Sequence, residues 1–377
     1  MSRPTYAERV ARAGLSRVGE PDDSALRAVV ATVGVVDAWE MVRASDDALP
    51  ARLRARTGGR ASGADPGADL ERLHALGGRL VCPGDDEWPA SLDDLDAIGA
   101  APLAMWVRGA GRLDALDRSV AVVGSRAFTA YGAHMADAIA GGLADRGWAT
   151  VSGGAVGVDG AAHRAALVSG VSTVAVLACG VDVIYPPSHR DLLTSVAAAG
   201  LLVSEWPLGC SPMRHRFLIR NRLLAALSRG TVVVEAAVRS GALSTARWAQ
   251  RLGRHTMAVP GPVTSAMSGG CNQLLRETDA VLVTDAAEVL ELVGDLGADL
   301  APRPQGAVAM RDALGDEARR VVEATPVRRY VTPDRIAQTA ALPAVRVTSL
   351  LNQLCAQGLV EVSDEGFRLA AALRRAR

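Results

Sequence analysis

The sequence contains no lysine: all 41 basic residues of its 377 are arginine. Mechanisms that depend on a lysine amine, such as Schiff-base catalysis or the lysine of a Walker nucleotide-binding loop, are therefore excluded. The chain also lacks an excess of either charge, because 41 acidic residues balance the arginines. A uniformly basic surface for polyanions is excluded as well, so a site for a polyanion must depend on local charge.

Cysteines are few and widely spaced. The five cysteines form no Cys-x-x-Cys pair, which argues against a disulfide framework and against a structural zinc site. The N-terminus has no apolar run typical of a signal peptide, and no uncharged apolar stretch reaches the roughly 18 residues of a membrane span. We therefore expect a cytoplasmic protein with no membrane segment, no bound metal and no cofactor.

Aromatic residues are scarce too, with only three Phe, yet 49% of the residues are hydrophobic. That share supports a large buried core, and the length predicts two to three domains at about 150 residues each. Breaks in the hydrophobic pattern predict a helical N-terminal domain with a linker, a main domain, a second linker and a C-terminal domain, at 1–65, 66–298, 299–314 and 315–377. The first linker is assigned to the Arg/Ala/Gly-rich stretch at 51–69.

The main domain alternates short β-branched runs with helical segments. This pattern is typical of βαβ units and predicts an α/β fold, with a parallel sheet covered by helices on both faces. Seven runs are predicted as strands: Val120–Val123, Thr150–Ser152, Thr173–Leu177, Leu201–Ser204, Thr231–Val234, Thr256–Val259 and Ala280–Val283. Ligands of such sheets bind beyond the carboxyl ends of the strands, so the loops there are the first place to seek a site.

Helices followed by two short strands after residue 315 predict a winged helix. Its recognition-helix candidate, Ala344–Gln357, carries a single charge, and the turn of its wing is acidic. We therefore expect this domain to serve protein contacts or regulation instead of gripping duplex DNA.

Two glycine loops follow the first two predicted strands of the main domain. Gly124–Arg126 precedes a helix, where free N–H groups and the helix dipole favour phosphate; a tight turn with a surface arginine is the alternative. No Gly-x-Gly-x-x-Gly dinucleotide fingerprint is present there. In Ser152–Asp159 three glycines allow close backbone approach, and Asp159 is predicted to cap the next helix. His163, four residues later, fits a local pair with Asp159 as well as a catalytic dyad.

Arginines concentrate between residues 214 and 254, where nine stand against a single acid, Glu235. The densest part, at 214–222, contains Phe217. Arginines bind phosphates and an aromatic ring among them can stack on an unpaired base, which is typical of single-strand binding; a solvated helix face is the alternative. Phe128 and Phe217 are predicted to flank the two phosphate sites. Glu235 is expected to orient an arginine through an ion pair.

These motifs, in this order, resemble the DNA processing protein A family, also called DprA or Smf. The matching segments include both glycine loops and the basic block: Val123–Arg126, Val151–Leu167, Thr173–Pro186, Leu202–Gly209, Phe217–Ala236, Ser240–Gly261 and Gly269–Leu275. Two positions depart from the family's pattern. Leu218 stands where the family has Pro, which leaves the entry to that helix less rigid, and Arg214 stands where Lys is common.

The resemblance implies a non-enzymatic protein with an extended Rossmann-like domain. Such a protein binds single-stranded DNA without sequence preference, forms a homodimer, and loads the recombinase RecA onto incoming DNA in natural transformation. The residues it implies for DNA contact are Gly124, Ser125, Arg126, Gly153, Gly154, Arg214, Phe217, Arg220, Asn221 and Arg222. Loop support is expected from Phe128, Asp159, Glu235, Ser240 and Gly241.

Two other functions compete with this interpretation. The glycine loops and the strand-edge glutamate are also similar to the nucleoside-monophosphate phosphoribohydrolases, but Pro260–Val263 does not match their Pro-Gly-Gly-x-Gly-Thr loop. Release of free base from AMP distinguishes that enzyme from a DNA-binding protein. A nucleotide-sensing module is the third possibility, and it would bind mononucleotides tightly without binding oligonucleotides.

Overall fold

A computed structural model describes residues 3–295, 299–301 and 314–370 of the chain. The chain divides into two compact units, Met1–Ala301 and Pro302–Arg377. Residues 302–313 of the predicted linker at 299–314 lie outside the described residues.

The first unit is built on a nine-stranded sheet with the strand order β1-β2-β6-β5-β4-β3-β7-β8-β9. All neighbouring pairs from β6 to β9 are parallel. The strands are β1 Gly78–Val81, β2 Met105–Arg108, β3 Ser119–Val123, β4 Ala149–Ser152, β5 Thr173–Val176, β6 Leu201–Ser204, β7 Gly230–Val233, β8 His255–Ala258 and β9 Val281–Leu282. All seven predicted strands are present, and the predicted Rossmann-like α/β fold is confirmed.

Helices cover both faces of this sheet, as the alternation of side chains along β3 shows. Val120 and Val122 pack into one core cluster, and Ala121 and Val123 pack into another on the opposite face. The first cluster includes side chains of α6, α7 and α12, and the second includes side chains of α9, α10 and α11. The helices of this region are α6 Ala130–Ala144, α7 Val158–Val168, α8 Arg190–Ala199, α9 Arg214–Ala226, α10 Ala242–Arg251, α11 Gly269–Glu277 and α12 Ala286–Val293.

Two antiparallel strands, β1 and β2, extend the sheet beyond β6. The sequence pattern did not predict them. Each has four residues and includes an arginine, Arg79 or Arg108, so neither forms the continuous apolar run of a buried parallel strand.

Five helices precede the sheet: α1 Tyr6–Val18, α2 Ser24–Val33, α3 Val35–Ala44, α4 Ala51–Ala61 and α5 Pro66–Ala75. Thr5 forms a capping box with Glu8 at the start of α1, and Asp23 caps α2. The helices have a core cluster of their own but belong to the same compact unit as the sheet.

The linker predicted at 51–69 is wrong for most of its length, because α4 and the start of α5 occupy it. Leu53, Thr57 and Ala61 lie four residues apart and are all buried. That spacing places them on one face of α4, so tertiary packing stabilises a helix in spite of two glycines.

The second unit contains α13 Asp316–Ala324, α14 Pro333–Ala340 and α15 Ala344–Ala356, followed by the antiparallel pair β10 Val360–Ser363 and β11 Gly366–Leu369. A bridge between Val331 and Phe367 adds one further contact to the pair. This order, helices and then a hairpin, is the one from which a winged helix was predicted, and that assignment stays a prediction. Among the helices that the structure describes in both units, none is long and apolar enough to cross a membrane.

Candidate nucleic-acid interface

A cleft of about 820 Å³ opens at the carboxyl ends of the central strands. Its walls come from the loops after β3, β4, β5, β6 and β7 and from the first turns of α9 and α10. This is the edge at which parallel α/β sheets bind their ligands. Ten of the predicted site residues line the cleft: Gly124, Ser125, Arg126, Asp159, Arg214, Phe217, Arg220, Asn221, Ser240 and Gly241.

Three exposed arginines contribute positive charge to the cleft. Arg126, Arg214 and Arg239 are exposed and come from three different walls, after β3, at the start of α9 and after β7. Within the described part of the chain none of the three forms an ion pair, and the one acid that lines the cleft, Asp159, is buried. Their charges are therefore available to a phosphate-bearing ligand.

Aromatic rings lie beside these arginines. The guanidinium carbon of Arg126 is 4.7 Å from the ring centroid of Phe217, and the ring of Tyr185 is 5.8 Å from that of Phe217 at an angle of 54°. Tyr185 is exposed and was missed in the sequence analysis. Its signal was available, since it is an aromatic residue of an aromatic-poor chain in a loop at the carboxyl end of β5.

Arg220 lies buried at the base of the cleft. Its guanidinium donates to the carbonyl oxygen of Val176, and its Nε has no partner among the described residues. Burial lowers the pKa of Arg220 to about 10, against the opposing attraction of Asp159, so the group stays charged at neutral pH. A side chain at Gly153 would collide with this guanidinium, which explains the glycine there.

Two of the four backbone N–H groups predicted to bind phosphate are already engaged. The Ser125 N–H donates to the carbonyl oxygen of Glu235 over 2.7 Å, and the Gly153 N–H donates to the Asp159 carboxylate over 3.1 Å. Gly154 is buried, and its carbonyl oxygen accepts from His189. These contacts fix the two glycine loops, and only Gly124 and Ser125 of the four predicted residues border the cleft.

Within the described chain, Glu235 binds the loop after β3 and does not bind an arginine. Its carboxylate accepts from the N–H and the hydroxyl of Thr129, each over 2.9 Å. The expected ion pair of Glu235 with an arginine is therefore wrong for the described residues. Glu235 instead contacts the predicted phosphate loop directly, through Thr129. Phe128, from the same loop, packs against the core cluster of α6 and α7 and does not line the cleft.

Arg222 does not reach the cleft either. It is 3% exposed and forms a double salt bridge with Glu205, over 2.5 and 2.6 Å, while its Nε donates to the carbonyl oxygen of Ala100. Asn221 borders the cleft but turns its amide to the carbonyl oxygen of Gly241, and so supports the loop that carries Arg239. These contacts indicate structural roles for both side chains.

Asp159 and His163 take different partners and form no dyad. Gly157, not Asp159, is the N-cap of α7. The Asp159 carboxylate is bound to Gly153, whereas His163 Nδ1 lies 2.8 Å from the hydroxyl of Thr173. Residues 3–295, 299–301 and 314–370 contain no group of His, Cys, Asp and Glu side chains that could hold a metal ion.

Comparison with known proteins points to one family. The model of the family described as DNA recombination-mediator protein A matches residues 79–294. A curated Mycobacterium tuberculosis protein named as a DNA processing protein DprA is 47% identical over 95% of this chain and 93% of its own. The DNA processing protein DprA of Streptococcus pneumoniae is 41% identical over 52% of this chain and 69% of its own.

Two solved structures share the fold. The crystal structure of DNA processing protein A from Streptococcus pneumoniae aligns with a TM-score of 0.63 at 30% identity, over 78% of this chain and 99% of that one. DNA processing protein A from Helicobacter pylori, whose structure is described for its single-stranded DNA binding mode, aligns with a TM-score of 0.50 at 31% identity. That alignment covers 54% of this chain and 91% of the other.

Proposed function

The chain belongs to the DNA recombination-mediator protein A family, and from this premise we propose that its cleft binds single-stranded DNA without sequence preference. One observation carries the proposal: Arg126, Arg214 and Arg239, unpaired within the described residues, face the same cleft as the ring of Phe217. Arginines from separate walls suit a chain of phosphates better than a single phosphate group, and an aromatic ring among them suits an unstacked base.

The preference for single strands follows from the place of the aromatic rings. Phe217 and Tyr185 are close together inside the cleft, where the stacked bases of a duplex cannot lie on them. Stacking accepts every base, because each base has a π-face, and this accounts for the absence of sequence preference. Arg220 adds positive charge from below, since its pKa of about 10 keeps it protonated.

The test is a titration with labelled oligo-dT of graded lengths at several salt concentrations. Several phosphate contacts would lower the affinity by orders of magnitude between about 50 and 200 mM salt. In the double variant Arg126→Ala, Arg214→Ala we expect weaker binding and a slope of log affinity against log salt that is smaller by about 1.4, roughly 0.7 for each lost contact with a single strand.

A matched control for this experiment is Arg276→Ala. Arg276 is exposed on α11 and does not line the cleft, so its removal should leave the affinity and the slope nearly unchanged. Unaltered oligo-dT binding by the double cleft variant would show that the DNA lies elsewhere on the protein.

The family description supports a mediator role downstream of binding. A recombination mediator brings recombinase to a strand, so we propose that the bound strand receives RecA, in the cytoplasm, during uptake and recombination of DNA. We further propose that the protein acts by binding and not by catalysis. The absence of lysine from the sequence, which removes the usual phosphate-binding residue of nucleotide hydrolysis, supports this.

We propose that two chains associate. Support comes from the outer strand β9, whose residues Val281 and Leu282 are 40% and 50% exposed at the edge of the sheet. An apolar edge strand is a ready surface for pairing with another chain. Light scattering at micromolar concentration should report the mass of two chains, and Leu282→Arg should shift it toward one. A single-chain mass for the unaltered protein would contradict the proposal.

A further inference from the structure

Glu20, just beyond the end of α1, connects the N-terminal helices to the wall of the cleft. Its two carboxylate oxygens accept from Arg216, over 2.6 Å from Nη2 and 3.2 Å from Nε. The indole N–H of Trp206 donates to the same carboxylate over 3.0 Å. Glu20, Trp206 and Arg216 are called the Glu20 cluster below. It joins the end of α1 to the segment after β6, through Trp206, and to the first turn of α9, through Arg216.

The first turn of α9 depends on contacts of this kind. It begins at Arg214 and carries Phe217, but its N-cap residue, Met213, makes no side-chain hydrogen bond to the helix. Arg216 bridges the gap: its Nη1 donates to the carbonyl oxygen of Ser211 over 2.9 Å, and its guanidinium lies 5.4 Å from the ring centroid of Trp206. The side chain that joins the loop to the helix is thus itself held by Glu20.

Burial makes these hydrogen bonds strong. The Arg216 side chain is 10% exposed, that of Glu20 is 24% exposed, and Trp206 is buried. Burial raises the pKa of Glu20, but the hydrogen bonds from Arg216 and Trp206 outweigh it and leave the pKa below its ordinary value. The carboxylate is therefore ionised at neutral pH. The cluster supplies a constraint on α9 that the chain does not obtain from a proline at position 218.

We propose that Glu20 is a positioning residue for the cleft: through Arg216 it fixes the first turn of α9, so that Arg214 and Phe217 face the bound strand. The inference rests on the proposed function, since it assigns to the N-terminal helices a part in the same DNA site. Glu20 itself does not line the cleft, so it acts on DNA only through α9.

The sign of the effect separates positioning from plain electrostatics. Removal of an acid makes the protein more positive, which by itself raises affinity for DNA. Loss of the contact that positions α9 lowers the affinity for DNA. In Glu20→Ala we expect affinity for oligo-dT to fall by about fivefold or more, the scale of a typical coupling between sites. The salt slope should fall by no more than about 0.7, the share of one single-strand phosphate contact, because Arg214 is the cleft arginine that loses its position.

Matched variants of the full-length protein complete the experiment. Glu40→Ala removes an exposed acid of the same helical region, one paired with Arg43 over 2.5 Å, and should leave affinity unchanged or slightly higher. Glu20→Gln keeps a carbonyl acceptor and should restore part of the loss. In an Arg216→Ala background, Glu20→Ala should lower affinity less than it does in the unaltered protein, since the link to α9 through Arg216 is already broken.

Hydrogen exchange on the folded variants shows where the structure loosens. The amides of 211–219 should exchange faster in Glu20→Ala, while those of α7 keep their rates. If Glu20→Ala does not fold, the isosteric Glu20→Gln replaces it, and a smaller fall in affinity is then expected. Affinity equal to or above that of the unaltered protein, in a variant where Arg126→Ala still weakens binding, would overturn the positioning role alone. If Arg126→Ala also binds normally, the proposed DNA site itself fails.

Discussion

The nine arginines between residues 214 and 254 are alike in the sequence but not in the structure. Four of them bind carboxylates away from the cleft: Arg216, Arg222, Arg229 and Arg254. Only Arg214, Arg220 and Arg239 line the cleft. Local composition therefore predicts a basic region, and three of its arginines do line the cleft. It could not separate its members, because an acid such as Glu20 lies 196 residues from the arginine it binds.

At the same scale, the two aromatic rings give a prediction. Phe217→Leu should weaken oligo-dT binding by roughly 1–3 kcal/mol if one base stacks on the ring, and Tyr185→Leu should weaken it in the same direction. Neither change removes a phosphate contact, so the salt slope should stay constant, unlike that of the arginine variants. Anisotropy titrations at three salt concentrations measure both quantities.

The control for the aromatic variants is Tyr6→Leu. Tyr6 is 69% exposed at the start of α1 and does not line the cleft, so the change should leave affinity unaltered. An unchanged affinity in Phe217→Leu would mean that the ring only packs against Arg126 and Tyr185.

Among the elements, buried parallel strands were the easiest to predict from the sequence. Runs such as Val120–Val123 are apolar throughout, because helices cover both sides of the sheet. The short antiparallel strands β1 and β2 carry no such signal. The helix α4 is stabilised by Leu53 and its neighbours on one buried face, which a glycine-rich composition conceals. Its existence depends on packing partners elsewhere in the chain.

A titratable side chain, His163, connects α7 to the sheet. His163 is fully buried, and its Nδ1–H donates to the Thr173 hydroxyl, because that hydroxyl already donates to the carbonyl oxygen of Thr150. Its Nε2 has no partner within the described residues. Burial, followed by the positive charges nearby, lowers the pKa of His163 from 6.5 to about 3.

The sign of the resulting pH dependence follows from linkage. Below pH 6.5 the unfolded chain protonates His163 while the folded protein does not, down to a pH of about 3. The contribution of His163 to the free energy of unfolding is thus fully present above pH 6.5. It falls as the pH decreases, because unfolding takes up about one proton. Urea unfolding followed by circular dichroism from pH 7.5 to 5 should show this decline, and His163→Asn should reduce it. His74→Asn, at an exposed position on α5, is the control. Equal pH dependence in all three proteins would exclude His163 as its source.

For the whole molecule, the division into two units predicts which part binds DNA. In the second unit Arg346 pairs with Glu317 over 2.7 Å and Arg368 pairs with Glu361, while the turn of the hairpin exposes Asp364 and Glu365. A chain that ends at Ala301 should therefore bind oligo-dT as tightly as the full chain. The measurement is a gel shift of both proteins side by side.

The isolated second unit, from residue 314 onward, provides the complementary measurement. We expect no binding to duplex DNA at about 150 mM salt, because an acidic turn repels the phosphate backbone. Micromolar duplex binding by this fragment would restore the usual role of a winged helix.

The two ends of the large sheet differ, and this limits how copies of the protein can assemble. β1 at one end is largely buried, whereas both residues of β9 at the other end are exposed. When the edge of a sheet pairs with the same edge of another copy, the two copies are related by a two-fold axis. That edge then has no free hydrogen-bonding groups for a third copy. Within the described residues, β9 is therefore the end of the sheet with exposed side chains. If two copies associate through β9 as proposed, the assembly should therefore close at a pair, and each pair would hold two of the candidate clefts at a fixed spacing.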